Sequence, residues 1–307
     1  MLHLYFWLAY FAGQPVPKAD DQNAAMRVSQ KILDFILYSN MFISLCAAGL
    51  VWETYLLSGI PISLRLGGIV FFATLFVYNA DSLLPYKFNQ EVPQTLRTKW
   101  IKANRLELIV ISVASVLCAL YLYWTAIFEL NFWFLLHLLV VAGLYSVPVV
   151  PEGERYIPLR DIPFLKVFLI AYVWSAITVQ LPLMEVDRDL FSGDSLILFV
   201  RRFLFLFSLT LVFDIRDVHK DKLTETVTFP TKWGVPNTRK LALFMLLLYA
   251  LLVPAGTDPL MRVALGLAGV GAGLVVWNAH EYRSQYYFLL LADGMMLVQF
   301  LLVWFMV

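Results

Sequence analysis

The sequence predicts an all-α fold, a polytopic membrane helical bundle with nine transmembrane helices. Of the 307 residues, 61% are hydrophobic and only 15% are charged, a composition typical of chains that contact lipid rather than water. The apolar residues are grouped into runs long enough to cross the ~30 Å hydrocarbon core of a bilayer as helices. We therefore expect residues 1–307 to form a single membrane domain in the lipid bilayer. The net charge of +1 suggests no nucleic-acid partner.

The first 31 residues precede the predicted spans. The run Leu2–Ala12 is apolar but too short to cross a bilayer. No Lys or Arg precedes it, so it is a poor fit to a secretory signal. We expect residues 1–31 to form an interfacial or cytoplasmic segment.

The predicted spans lie within residues 32–306 and are mostly 17 to 25 residues long, the range that a transmembrane helix needs. Several prolines lie near their ends, where a helix loses hydrogen bonds at least cost. The nine ranges are 32–57, 62–80, 105–127, 131–150, 163–182, 195–214, 239–255, 260–277 and 285–306.

The basic residues predict the orientation of the bundle, because cytoplasmic loops carry an excess of Lys and Arg. With a cytoplasmic amino terminus, all but five of the 23 Lys and Arg residues lie on the cytoplasmic side; the five are Arg65, Arg188, Arg201, Arg202 and Arg262. The carboxyl terminus is then outside. The long connections 79–104 and 214–238 are cytoplasmic, so we expect the functional site to face the cytoplasm.

Three acids end the sixth predicted span. Asp214, Asp217 and Asp221 are spaced i, i+3, i+7, which places them on one face of a helix. They repel one another, and each costs roughly 2.5–3.5 kcal/mol at a bilayer centre, so a positive partner is expected. Oxygen ligands favour a hard cation, most simply Mg²⁺, which also binds substrate phosphates. The alternative is a solvated acidic helix end that neighbouring basic residues neutralise.

The residues after these acids include Thr228-Phe229-Pro230 and Gly234. With the acids, they resemble the second aspartate motif of the UbiA superfamily of intramembrane prenyltransferases, and the span count and orientation agree over nearly the whole chain. The resemblance implies a helical bundle that binds an isoprenyl diphosphate through Mg²⁺. It also implies transfer of the prenyl group to an aromatic or other lipid-precursor acceptor, which is a hydrophobic partner.

The first aspartate motif of that family, NDxxDxxxD, is degenerate in this chain. Asn79 matches its first position, and Asp81 is one place out of register. Ala80, Leu83 and Lys87 stand where the carboxylates would be. We expect Asn79 and Asp81 to join the three acids as catalytic and metal-binding residues; the alternative for them is a polar pair at a helix end.

Cations are expected to bind the diphosphate, because an allylic diphosphate ionises when its leaving group is neutralised. Aromatic faces would stabilise the resulting cation by roughly 0.5–2 kcal/mol each. For Lys166 the alternative is an interfacial anchor, and for Tyr145 an interfacial belt position. The predicted diphosphate-binding residues are Lys166, Lys87, Arg97, Lys220, Lys222 and Tyr145.

Four further charged residues have structural interpretations. Arg216 points away from the acidic face and is expected to pack against a neighbouring helix or a lipid headgroup. Asp293 lies inside the ninth predicted span, where a structural hydrogen bond is favoured over a substrate contact. Arg201 and Arg202 are expected to mark the outer end of the sixth span.

The sequence therefore predicts a Mg²⁺-dependent, UbiA-like prenyltransferase. The degenerate first motif leaves an alternative, a catalytically impaired membrane protein that acts in lipid binding or assembly. A transporter is a further alternative, although the sequence lacks paired discontinuous helices and a row of ionisable groups at mid-membrane depth.

Overall fold

The computed structural model describes residues 19–84, 95–125, 132–147, 149–152, 155–254 and 256–306. These residues form helices joined by short connections, and one two-stranded hairpin. The helices are α1 Ala19–Tyr38, α2 Met41–Leu57, α3 Leu64–Leu83, α4 Leu96–Ala103, α5 Arg105–Thr125, α6 Phe132–Ser146, α7 Leu165–Glu185, α8 Gly193–Leu223, α9 Phe229–Leu251, α10 Pro259–Trp277 and α11 Tyr287–Met306. The hairpin pairs β1 Val150–Glu152 with β2 Arg155–Ile157, antiparallel.

The predicted all-α membrane bundle is confirmed, but the count of nine spans is not. Among the described residues, six helices are long and apolar enough to cross a bilayer, namely α3, α5, α7, α8, α10 and α11. A seventh span results if α1 and α2, which are bent by 59° at their junction, are counted together. Helix α6 is apolar but shorter.

Two predicted spans differ in shape from the structure. The range 32–57 is broken at Asn40, whose φ of 64° is left-handed, a conformation that Asn adopts more readily than most residues. The range 131–150 is helical only to Ser146, and the hairpin follows. The helix does not continue into the hairpin, because Pro151 of β1 lacks the N–H that a helix requires.

The connection predicted between the sixth and seventh spans is largely helical. Helix α8 continues to Leu223, and α9 already begins at Phe229. The backbone N–H of Thr228 donates to Thr231 Oγ1 at 2.8 Å, and Pro230 lies in the first turn; both features favour a helix start. At Gly234 the backbone leaves the helical region, with φ 78° and ψ 157°.

Helix α8 lies at the centre of the bundle. It packs against α7 and α9, and also contacts α10. The other neighbours follow in the order α9–α10–α11–α2–α3–α5. In the apolar stretch of α8, 61% of the residues are buried, against 17% in that of α5. Helix α5 therefore lies at the outside of the bundle, with most of its surface facing lipid. Side chains on α8 are therefore held by packing on several sides.

Arg201 and Arg202 do not mark the outer end of a span, as the sequence had suggested. Helix α8 begins several residues earlier, at Gly193, and each arginine is only 3% exposed. Arg202 Nη2 lies 3.0 Å from Glu53 Oε2 of α2. The Arg201 guanidinium carbon lies 4.6 Å from the centre of the Tyr249 ring of α9. These partners explain the burial, because buried charges require pairing.

The backbone conformation at Gly234 can be tested by substitution. Its combination of φ and ψ is accessible essentially to glycine alone, so Gly234→Ala should destabilise the protein by about 1–3 kcal/mol. Gly266→Ala is the matched control, because Gly266 is helical and no neighbouring atom obstructs a new Cβ; it should be neutral or stabilising by up to about 1 kcal/mol. Thermal unfolding of the detergent-solubilised variants measures both. Equal melting temperatures for the two variants would contradict this account.

Candidate functional site

The three predicted acids lie on one helix, α8, near its carboxyl end, which we call the acidic end of the bundle. Asp214 is 1% exposed and Asp221 is 7% exposed. Asp217 is partly exposed. Two of the three acids thus lie inside the bundle, so this is not a solvated helix end.

Lys166, in the first turn of α7, lies against the acids. Its Nζ is 2.8 Å from Asp214 Oδ1, and the charges of Asp217 and Asp221 also act on it. The chain enters α7 through Phe164, whose ring packs 4.8 Å from the ring of Phe229 at the start of α9. The structure therefore brings Lys166 into the acidic cluster, rather than leaving it as a separate anchor at the bilayer surface.

The beginning of α9 also reaches the acids. The side chain of Thr228 hydrogen-bonds that of Asp221, and the backbone N–H of Thr226 donates to the Asp221 carbonyl at 2.8 Å. The Thr-Phe-Pro sequence thus has a structural role. It starts α9 at the point where the Thr228 side chain meets Asp221, the last acid of α8.

Arg216 contacts the acidic face more directly than its helical angle predicts. Its Nε and Nη2 donate to the two carboxylate oxygens of Asp217, at 2.8 Å each. Its guanidinium also lies 4.9 Å from the Phe213 ring centre and 5.8 Å from that of Phe288. The predicted packing on a neighbouring helix is confirmed, since Phe288 belongs to α11. The helical angle alone does not predict this ion pair, because the long arginine side chain reaches back to the acidic face.

Asn79 belongs to a hydrogen-bonded network at the break between α1 and α2. Its Oδ1 accepts from Asn40 Nδ2 at 2.8 Å, and its Nδ2 donates to the Ser39 carbonyl at 3.0 Å. Asn40 Oδ1 in turn accepts from Arg97 Nη2 at 2.7 Å. In the structure Asn79 therefore holds Asn40, and Asn40 positions Arg97.

Arg97, on the short helix α4, reaches the acidic end from a second direction. Burial, and then the nearby Arg216, lower the pKa of Arg97 from its usual value, while Asp293 and Asp81 act in the opposite sense. Its Nε is buried and has no hydrogen-bond partner among the described residues. Arg97 therefore offers an unused donor inside the bundle.

Asp293 and Tyr78 join the site; for Asp293 the sequence favoured a structural hydrogen bond over a substrate contact, and Tyr78 was not among the predicted site residues. The charge of Asp293 interacts with Arg216 and Arg97, and Tyr78 interacts with Asp293 and Asp81. The Tyr78 ring also packs edge-on against Trp174 at 6.2 Å. The one available signal was the depth of Asp293 in its span, since intramembrane carboxylates are commonly functional.

Tyr145 of α6 is within electrostatic range of both Asp81 of α3 and Asp214 of α8. The charges of Lys166, Asp81 and Asp214 all act on the Tyr145 hydroxyl. The structure thus brings the ends of α3, α6, α7 and α8 together. Lys220 and Lys222 are exposed at the end of α8, and the charge of Lys220 still acts on Asp217. Lys87 lies outside the described residues.

Two buried carboxylate oxygens are available to bind a metal ion. Asp214 Oδ2 and Asp221 Oδ2 are buried and have no hydrogen-bond partner among the described residues. Among the residues that the structure describes, no three His, Cys, Asp or Glu side chains converge to form a metal site. Mg²⁺ commonly uses only one or two carboxylates, with waters and substrate phosphates completing its shell. The donors present fit that mode of binding and not an all-protein cage.

The charges of the site agree with this fit. The buried or partly buried side chains of the site are five acids and three cations, and the exposed Lys220 adds a fourth positive charge at the rim, so the acids remain in excess. The five acids are Asp81, Asp214, Asp217, Asp221 and Asp293, and the three cations are Lys166, Arg97 and Arg216. Because like charges in an apolar interior repel strongly, this excess favours a bound cation.

Comparison with known proteins identifies the type of fold. No protein-family model matches the chain, and no curated protein matches its sequence. A UbiA homolog from Archaeoglobus fulgidus, whose structure was solved bound to GPP and Mg²⁺, is similar with a TM-score of 0.59 and 11% identity, over 89% of this chain and 99% of that one.

A second solved structure, described as a digeranylgeranylglyceryl phosphate synthase in membranes, is similar with a TM-score of 0.51 and 15% identity. The similarity covers 88% of this chain and 97% of that one. At these identities the likeness concerns the fold. The chain therefore has a UbiA-type fold and is an integral, multi-pass membrane protein.

Proposed function

We propose that this protein is a Mg²⁺-dependent prenyltransferase, which moves an isoprenyl group from a prenyl diphosphate to an aromatic or lipid-precursor acceptor in the bilayer. The observation that carries the proposal is the pair of buried, unpartnered carboxylate oxygens on Asp214 and Asp221, set beside the cation Lys166. The fold supports it, since a UbiA homolog of this fold was solved bound to GPP and Mg²⁺.

Asp214 and Asp221 are the residues that would hold Mg²⁺, and Asp217 and Asp81 remain predicted ligands. When bound, Mg²⁺ would neutralise charge on the departing diphosphate. The direct metal role predicted for Asn79 stays a prediction. Its observed hydrogen bonds give it a further role, which is to position Arg97 through Asn40.

The cations of the site would bind the diphosphate. Lys166 and Arg97 approach the acids from two different helices, and Arg97 Nε is free to donate to a phosphate oxygen. Arg216 adds a third cation, oriented by Asp217. Positively charged donors fixed where charge develops are the usual means of stabilising such a leaving group. Lys220, Lys222 and Lys87 remain predicted contacts of the diphosphate.

In the proposed reaction, the bond between the first prenyl carbon and the diphosphate oxygen breaks, and its electron pair leaves with the diphosphate. A nucleophilic atom of the acceptor then bonds to that carbon and loses a proton. Aromatic rings at the acidic end, among them Tyr78, Trp174 and Phe288, would stabilise the allylic cation. Burial of the site would keep water from capturing that cation. Tyr145, whose hydroxyl is within range of the Lys166 charge, is a candidate contact of the diphosphate.

The orientation of the protein is part of this proposal. The amino terminus lies in the cytoplasm, the carboxyl terminus lies outside and the acidic end faces the cytoplasm. The distribution of Lys and Arg supports this orientation. A prenyl diphosphate is charged and water-soluble at its head, so a site at the cytoplasmic surface would take up the head from water and the prenyl chain from lipid.

Two observations favour a second candidate function. The first motif lacks three carboxylates, at Ala80, Leu83 and Lys87. The described residues also show no converging group of three metal ligands. A bundle with this site could bind a prenyl diphosphate, or another lipid with an anionic head, without transferring its prenyl group. Binding without diphosphate release would favour this candidate.

The test of the proposed function uses the purified protein in detergent or nanodiscs. It is incubated with radiolabelled prenyl diphosphates of several chain lengths, Mg²⁺ and a panel of aromatic and lipid-precursor acceptors. We expect Mg²⁺-dependent release of diphosphate and a prenylated product with at least one combination. Release that is unaffected by EDTA, or no release from any prenyl diphosphate, would count against the proposal.

The substitution Asp214→Asn should reduce diphosphate release by about 100-fold or more, because it removes a charge that the metal and Lys166 both require. Asp194→Asn is the matched control on the same helix, since Asp194 is exposed near the amino end of α8. It should retain native activity. Steady-state rates at saturating Mg²⁺ compare the two. Similar rates for both variants would remove Asp214 from the mechanism.

The substitution Lys166→Met should weaken binding of the diphosphate and slow its release, by about 100- to 1,000-fold in kcat/KM. The matched control is Lys240→Met, because Lys240 is exposed on α9. Isothermal titration with inorganic diphosphate and Mg²⁺ separates loss of binding from loss of chemistry. If Lys166→Met binds diphosphate as the native protein does, Lys166 is only a structural partner of Asp214.

A further inference from the structure

One buried acid at the acidic end has no part in the reaction described above. Asp293 of α11 is 7% exposed, and its carboxylate makes no direct hydrogen bond or ion pair with a described residue. The three acids of α8 differ from it, because Lys166, Arg216 and Thr228 each bind one of them. An acid inside a membrane bundle that lacks a direct partner is a candidate for contact with a ligand.

The backbone of α11 is altered where it presents Asp293. Residues Tyr287–Ala292 form a π-helical turn, and the backbone N–H of Asp293 donates to the Phe288 carbonyl, five residues earlier, at 3.1 Å. An α-helix would use the carbonyl four residues earlier, so the π turn rotates Asp293 relative to the residues before it. Such turns are rare, and they occur frequently at functional sites. The local backbone therefore sets Asp293 apart from the ordinary packing residues of its helix.

Side chains of four other helices surround Asp293. The charges of Arg216 of α8 and Arg97 of α4 act on its carboxylate. That carboxylate in turn acts on Tyr78 of α3 and on Cys46 of α2. The two arginines offset its charge in the apolar interior. Asp293 thus belongs to the same polar interior as the cations that are proposed to bind the diphosphate.

Asp293 lies deeper in the bundle than those cations and the acids of α8. The Phe288 ring packs 6.2 Å from that of Phe213, which directly precedes Asp214, and Arg216 lies against both rings. Helix α11 begins at the acidic end, and Asp293 follows Phe288 by more than one helical turn. A diphosphate bound at the acids would direct its prenyl carbon toward this deeper side, where an acceptor in the bilayer would meet it.

The chemistry of a carboxylate limits what Asp293 can bind. An ionised carboxylate only accepts hydrogen bonds, so its ligand must donate one. An alkyl amine would carry a positive charge at neutral pH and would be repelled by Arg97 and Arg216. A hydroxyl group donates without a charge, and its oxygen becomes a better nucleophile as its proton is removed.

We propose that Asp293 is a catalytic residue that binds a hydroxyl group of the acceptor and takes up the proton that this group releases. The inference rests on the proposed function and names the acceptor class, an alcohol or a phenol. The acceptor oxygen bonds to the first prenyl carbon, and the carbon–oxygen bond to the diphosphate breaks, with its electron pair leaving on the diphosphate. The hydroxyl proton moves to the Asp293 carboxylate, which later returns it to water.

The first experiment uses the prenyl diphosphate and the acceptor that give product in the panel above. We expect Asp293→Asn to lower kcat for transfer by about 100-fold or more, because a general base contributes about that much. The matched control Asp194→Asn, exposed on α8, should keep native kcat. Titration calorimetry with inorganic diphosphate and Mg²⁺ should give undiminished affinity for both variants.

Each outcome of this comparison has one meaning. Native kcat in Asp293→Asn overturns the role of Asp293 and leaves the proposed function standing. Parallel loss of diphosphate affinity and transfer in Asp293→Asn also overturns it, because the carboxylate then only balances the two arginines. If the native protein transfers a prenyl group to no acceptor, the proposed function fails and this inference is overturned with it.

A second experiment tests the hydroxyl contact on the native protein and does not depend on the folding of a variant. The methyl ether of the same acceptor should bind about 10- to 100-fold more weakly than the acceptor, because it cannot donate a hydrogen bond to a charged group. A structure with the acceptor, Mg²⁺ and inorganic diphosphate should place the acceptor hydroxyl within hydrogen-bonding distance of Asp293. Equal binding of the ether, or a hydroxyl bound elsewhere, overturns the proposal.

Discussion

Pairing of charge inside an apolar bundle is the constraint on which the rest of this structure depends. An ionised side chain that leaves water needs an opposite charge or a set of hydrogen bonds. Lys166 and Asp214 satisfy this need for each other at 2.8 Å, as do Arg216 and Asp217. Where the pairing is incomplete, at Asp214 Oδ2 and Asp221 Oδ2, the protein has capacity for a ligand.

Helix α8 carries charged side chains that need partners in both of its halves. Its burial against several neighbours fixes the acids at one end and the two arginines nearer the other. The apolar residues between them, among them Phe205, Leu211 and Ile215, belong to the main hydrophobic core. That core separates the two charged groups, so each must be balanced by its own partners. The result is one helix with two independent polar sites.

Three of the unusual backbone conformations occur where chain segments deliver side chains to the acidic end. Asn40, Phe164 and Gly234 all have positive φ. Asn40 binds Arg97, Phe164 precedes Lys166 by two residues, and Gly234 bends α9 shortly after Thr228. Such conformations cost on the order of 1–3 kcal/mol for residues other than glycine, and they persist only when surrounding contacts enforce them. Helix geometry by itself would not bring these side chains together.

The sequence by itself determined the membrane bundle and the helical face of Asp214, Asp217 and Asp221, and it offered Lys166 as a candidate cation for the site. Hydrophobic run length and helical periodicity are local properties, so they can be read without a fold. Only the tertiary structure decided that Arg201 and Arg202 are buried, that Asp293 faces Arg97 and Arg216, and that Asn79 holds Asn40. Each of these facts depends on which helices are neighbours, and pairwise contacts between distant segments leave no periodic signal in one chain. The physical reason is that the cost of burying a charge is set by its partner, and the partner is chosen by packing.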